Sequence, residues 1–163
     1  MLPINKIGLF FIVLIISSLS YSQNHLPKPD TSFLKGLNEQ NDTPIHAYLK
    51  KYIGTISGEK KQQRVKDSIE NYVCAWEEKF KKGIFFKFNS CSKSDVDIAV
   101  DFINYSKSDI VKLVDTFYND PKFSAWNKEK TKYQPISDED AGCYIEIKKI
   151  NKHKKRLSIY CSE

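Results

Sequence analysis

The sequence predicts an α+β domain: a bundle of about four helices, a C-terminal antiparallel β-hairpin and two disulfides. Three observations carry that expectation. Residues 59–82 place Val65, Ile69, Tyr72, Val73, Trp76 and Phe80 on one helical face. Ser94 with Asp97, and Ser106 with Asp109, each read as a helix start followed by apolar residues at helical spacing. Residues 143–161 alternate apolar and polar side chains on either side of a turn, as a hairpin does.

In chain order, residues 1–22 read as a signal peptide. Lys6 precedes an apolar run at 7–16 and then small residues, with cleavage expected after Ser22. Such a run is too short to cross a bilayer of about 30 Å, so stable membrane insertion is not expected. Removal of this segment takes away Lys6 and no acid, so the formal charge falls from +6 to +5. A basic exported chain suits an acidic protein partner, and export argues against nucleic acid. The expected location is periplasmic or secreted.

Residues 23–43, rich in Asn, Asp, Pro and Ser, read as a flexible N-terminal arm, and residues 44–163 as a single domain. Thr43 and Pro44 open the first helix, Ile45, Tyr48, Leu49, Tyr52 and Ile53 form its apolar stripe, and Gly54 closes it. The central helix at 59–82 stops at Gly83, and Ile84 to Phe88 follows as a strand or an extended cover. Next come the two capped helices, carrying Val96, Ala99, Val100, Phe102 and Ile103, then Ile110, Leu113, Val114 and Phe117. Phe123 and Trp126 make a short turn onto the core, and a polar stretch with an acidic turn at 138–140 leads to the hairpin. Pairing residues whose numbers sum to 304 sets Cys143, Ile145 and Ile147 opposite Cys161, Ile159 and Leu157.

Cys74, Cys91, Cys143 and Cys161 are an even set in an exported chain and read as two disulfides. Local pairing, Cys74 with Cys91 and Cys143 with Cys161, fits the expected geometry. A pairing that ties Cys74 or Cys91 to the hairpin stays open. The cysteine spacings lack the close ligand pairs of a zinc site, and no other metal and no cofactor is expected.

Catalytic chemistry has few candidates. His25, His46 and His153 sit in no nucleophile motif, and no G-x-S-x-G or H-E-x-x-H occurs. A small envelope enzyme would have to use His46 or the pair Asp97 and Asp101, four apart on a helix. The stronger candidate is the hairpin tip at 149–156, KINKHKKR. There Lys152, His153, Lys154, Lys155 and Arg156 form a basic projection suited to an acidic cleft, although lysines also keep an exposed edge from pairing. Tyr144 and Tyr160, off the apolar hairpin face, are the aromatic residues best placed for contact. A membrane-surface or envelope adaptor is a third possibility.

The stretch FINYSKSDIVKLVDTFYNDPKFSAW, residues 102–126, resembles the end of periplasmic immunity proteins of type VI secretion amidase effectors. The likeness lies in a tyrosine-serine helix junction, an amphipathic helix, and then proline and tryptophan. It implies a small, exported, helical, noncatalytic inhibitor that plugs the active site of a secreted hydrolase. The chain departs from that pattern in its basic hairpin and in Asp101, where the family has a cysteine.

Overall fold

Val96, Ile98, Val100 and Phe102 alternate with Asp97, Ala99 and Asp101, a period of two that buries one face of a strand. In the computed structural model this segment is a strand, and the same alternation recurs in other described strands. The structure describes residues 24–37, 43–56, 61–66, 71–91, 95–137 and 142–162. The proposed leader and the acidic turn at 138–140 lie outside them.

Eight described strands form one antiparallel sheet. They are β1 (Lys61–Lys66), β2 (Asn71–Phe80), β3 (Ile84–Asn89), β4 (Asp95–Ile103), β5 (Ser124–Trp126), β6 (Lys132–Pro135), β7 (Gly142–Lys149) and β8 (Lys154–Ser162). Their order across the sheet is β1-β2-β3-β4-β8-β7-β6-β5. Helices α1 (Thr31–Lys35) and α2 (Pro44–Tyr48) come first, α2 running on into a π-turn at Leu49–Ile53, and α3 (Lys107–Phe117) links β4 to β5. The chain thus runs twice through a helix and a four-strand meander, and the last strands of the two halves meet. Their seam pairs nine residues, from Asp95 with Ser162 to Ile103 with Lys154, with Ala99 opposite Ser158 at its midpoint.

The expected helical bundle is therefore corrected to a sheet with helices on one face. Residues predicted as the central helix form β1 and β2, and those predicted as the third helix form β4. In β2 the inner positions are Cys74, Trp76, Glu78 and Phe80, and an interval of four suits a strand face as well as a helical one. β-Branched and aromatic residues settle the conflict, because a half-buried pleated surface accommodates them better than a helix does. The hairpin keeps the register expected for it, with Cys143 opposite Cys161 and Ile147 opposite Leu157. It does not stand apart from the rest of the chain, however, since β8 also pairs along its other edge with β4.

One apolar core lies between sheet and helices. Phe80, Ile84, Phe86, Val100, Phe102, Leu157 and Ile159 meet Ile45, Tyr48 and Leu49 from the α2 region and Ile110, Leu113 and Val114 from α3. Full burial of each such side chain stabilises the fold by about 1.5–3 kcal/mol before chain entropy is counted. Local signals start the helices as expected. The Ser106 Oγ accepts the Asp109 N–H at 3.0 Å, and Pro44 occupies the first turn of α2.

The described part of the N-terminal arm is held in place. Asn24 bridges to Tyr105, and the Tyr48 hydroxyl donates to the Pro27 carbonyl at 2.7 Å. Asp30 caps α1 by accepting the Phe33 N–H, and hydrogen bonds from the Ser32 and Tyr52 hydroxyls hold its carboxyl well below the usual range. The two disulfides join Cys74 to Cys91 and Cys143 to Cys161, with Cα separations of 4.8 and 4.2 Å. Each lies within one half, and the pair suits an oxidising, extracellular-type compartment.

Candidate binding face

The face of the sheet turned away from the helices is built from the alternate positions of each strand. Register places them in three cross-strand rows. The first runs Lys79, Phe85, Asp101, Arg156, Lys148, and the second Glu77, Lys87, Ala99, Ser158, Glu146, Lys132. The third runs Ala75, Asn89, Asp97, Tyr160, Tyr144. Ala99 and Ser158 are both small, and they face each other at the midpoint of the seam. Ala99 and Ser158 therefore form the floor of a shallow recess of about 580 Å3. Tyr144 and Tyr160, 43% and 38% exposed, stand beside that floor, and Phe85 is 37% exposed one row away.

Asp101 fixes the electrostatics of the first row. Although it points to the solvent side of the sheet, it is only 5% exposed because its neighbours cover it. Arg156 donates through Nε to Oδ1 at 2.7 Å and through Nη2 to Oδ2 at 2.9 Å, and the Lys154 Nζ lies 2.7 Å from Oδ2. Burial alone raises this carboxyl, but the hydrogen bonds from Arg156 and Lys154 outweigh it, and the group titrates below its ordinary range. The same pairing raises Arg156. Two cations are thus locked onto one carboxylate while their outer surfaces stay in water.

The residues expected at a projecting tip are distributed differently. Lys154 and Arg156 belong to β8 and lie on the outer face with Asp101. The Lys155 ammonium donates to the Tyr105 carbonyl at 2.6 Å, on the opposite side. His153 sits 3.0 Å from the Asn104 side-chain oxygen, which pins the turn, and Lys152 is exposed on that turn.

Residues considered for acid-base work are not brought together. His46 is fully buried on the helix side, 2.7 Å from the Glu78 carboxylate and in ring contact with Trp76, Phe80 and Phe86. Asp97 and Asp101 lie on the other face of the sheet. Four residues along a strand separate their Cα atoms by about 13 Å, not by the single turn that a helix would give. His25 is 3.4 Å from Asp109 at the start of α3. Trp126 donates to the Asp115 carboxylate at 2.6 Å and packs on Tyr133, tying β5 to α3.

Sequence reasoning singled out Tyr144 and Tyr160 but missed Ala99, Ser158 and the Asp101 cluster. The missed signal was the strict alternation of residues 96–102, which fixes which side chains share the outer face. Among the described residues, no group of three or more His, Cys, Asp or Glu is placed to hold a metal ion. Nor is any described helix long and apolar enough to cross a membrane. Comparison of the chain with family models, curated proteins and solved structures gives no match.

Proposed function

We propose that this is a noncatalytic binding protein, periplasmic or secreted, that captures a folded protein partner on the outer face of its sheet. The observation that carries the reading is the uncovered centre of the sheet, where a floor of Ala99 and Ser158 lies beside exposed tyrosines. Strands central to a sheet are ordinarily covered or carry a uniformly polar outer surface. Here the midpoint of the seam presents a recess with rigid aromatic side chains at its rim, the composition of an interface centre. The apolar leader expected at residues 1–22 and the two disulfides agree on a compartment outside the cytosol.

The likeness of residues 102–126 to immunity proteins makes inhibition of a secreted hydrolase the finer form of this reading. In the structure that stretch is the end of β4, helix α3 and strand β5, the connection that supports the second half of the sheet. Its part in the proposal is therefore to position the binding face, not to form it.

The test uses Ser158→Arg, which fills the floor from a partly exposed position. If a secreted hydrolase is encoded beside its gene, the wild-type protein should inhibit that hydrolase, and Ser158→Arg should weaken inhibition by at least about tenfold. Lys152→Glu, away from the recess, should leave it unchanged. Equal inhibition by wild type and Ser158→Arg would remove the face from the proposal, and no inhibition by either would remove the inhibitor.

A further inference from the structure

Resting on the binding-face reading above, we infer that Arg156, held by Asp101 and neighboured by Lys148, is a preformed anchor for one acidic side chain on a partner's loop. The charge balance of the first row is the starting point. Arg156 and Lys154 share the single Asp101 carboxylate, whose side chain is 7% exposed, yet they keep 37% and 28% of their own side chains in solvent. Lys148 lies directly across from Arg156 and is exposed. Positive charge is therefore in excess at this point of the face.

The position of the guanidinium is set before any partner arrives. Asp101 engages Nε and Nη2, so Nη1 takes no part in that pair. A planar guanidinium with donors to spare suits a carboxylate, and ordering it in advance lowers the entropy lost on binding. Phe85, opposite Asp101 in the register, adds an exposed ring next to the charge.

Geometry and charge narrow the occupant to a loop of a folded protein. Arg156 precedes Ser158 by two residues of β8, about 7 Å along the strand. A loop whose apex rests on Ala99 and Ser158 would thus bring an Asp or Glu about two residues from its apex to Arg156. A continuous polyanion fits poorly, since Glu146 and Asp97 stand on the same face in the next two rows. A second copy of this chain would present the same excess of positive charge.

Disulfide-closed heptapeptide loops displayed on phage and selected on the immobilised full chain test the anchor. The selected loops should be enriched in Asp or Glu. For a synthetic copy of the strongest binder, measured by calorimetry, Ser158→Arg and the second floor-filling variant Ala99→Gln should abolish binding. Lys148→Glu, or Asn or Gln for the peptide's acid, should each weaken it by about tenfold, with a steeper salt dependence for the wild-type pair. Loops that need the open floor but bind Lys148→Glu equally and tolerate loss of the acid would overturn the anchor and leave the face standing. Loops indifferent to both floor variants, a library yielding no binder, or a chain that sediments as a dimer through this face would overturn both.

Discussion

Asp101 shows how a residue on the solvent side of a sheet can matter as much as a core residue. Its carboxylate is covered by Arg156 and Lys154, so removing its charge leaves two partly buried cations facing each other. Asp101→Asn should destabilise the fold by about 1–3 kcal/mol near neutral pH, less than a fully buried pair because Arg156 is still partly hydrated. The pH dependence follows from the sign of the shift. The folded-state carboxyl titrates below its ordinary value of 3.8, so its contribution is complete above that value and is lost as pH falls through the lowered one. Urea unfolding of wild type and variant from pH 6 to pH 2 should therefore show a constant gap down to about pH 5 that closes at lower pH. A gap that persists unchanged to pH 2 would show that the carboxylate's charge is not what holds Arg156.

The elements show where local signals decide structure and where they do not. Between β2 and β3 the chain turns through Lys82 and Gly83, with φ of 56° and 71°. A Cβ on Gly83 would lie 2.9 Å from the Cβ of Ile103 on β4, so Gly83→Ala meets both backbone strain and a steric clash. It should cost about 1–3 kcal/mol, read as a lower urea midpoint at unchanged slope, whereas a neutral result would mean the turn can rearrange. Ser106 and Pro44 were legible as helix starts, and the hairpin register as the pairing of Cys143 with Cys161, because each depends on residues close in sequence; Gly83, expected to end a helix, instead closes the turn between β2 and β3. Residues 96–102 were also locally decidable, since their alternation has a period of two; the Ser94–Asp97 spacing imitated a helix cap and obscured it. The pairing of β8 with β4 was not legible. Which strand meets the free edge of a hairpin depends on contacts some 55 residues apart, such as Asp101 with Arg156, and alternation in each strand leaves that partner open. The floor of Ala99 and Ser158 exists only after that pairing is made, so the binding face could not be read as a unit even though its two tyrosines could.

At the scale of the molecule, the two halves are joined without a covalent cross-link of their own. Each disulfide closes within one half, leaving the nine-pair ladder between β4 and β8 and the shared core to couple them. Both contributions act directly across the seam: Val100 and Leu157 are opposite each other and fully buried beneath the same helices. If either half came away, it would expose a long central strand with unpaired backbone groups together with the apolar face beside it, and so would be unstable alone. The molecule should accordingly unfold as one unit. The two tryptophans allow a direct measurement, since Trp76 reports on β2 in the first half and Trp126 on β5 in the second. In Trp126→Phe and Trp76→Phe, the remaining tryptophan's fluorescence and the far-ultraviolet circular dichroism of the same variant should give coincident urea transitions. Comparing probes within each variant removes the effect of the substitution itself, including loss of the Trp126 hydrogen bond to Asp115. Separate midpoints within one variant would show that the seam does not couple the halves, and a recess whose floor straddles that seam would then lack the rigidity that a preformed binding face requires.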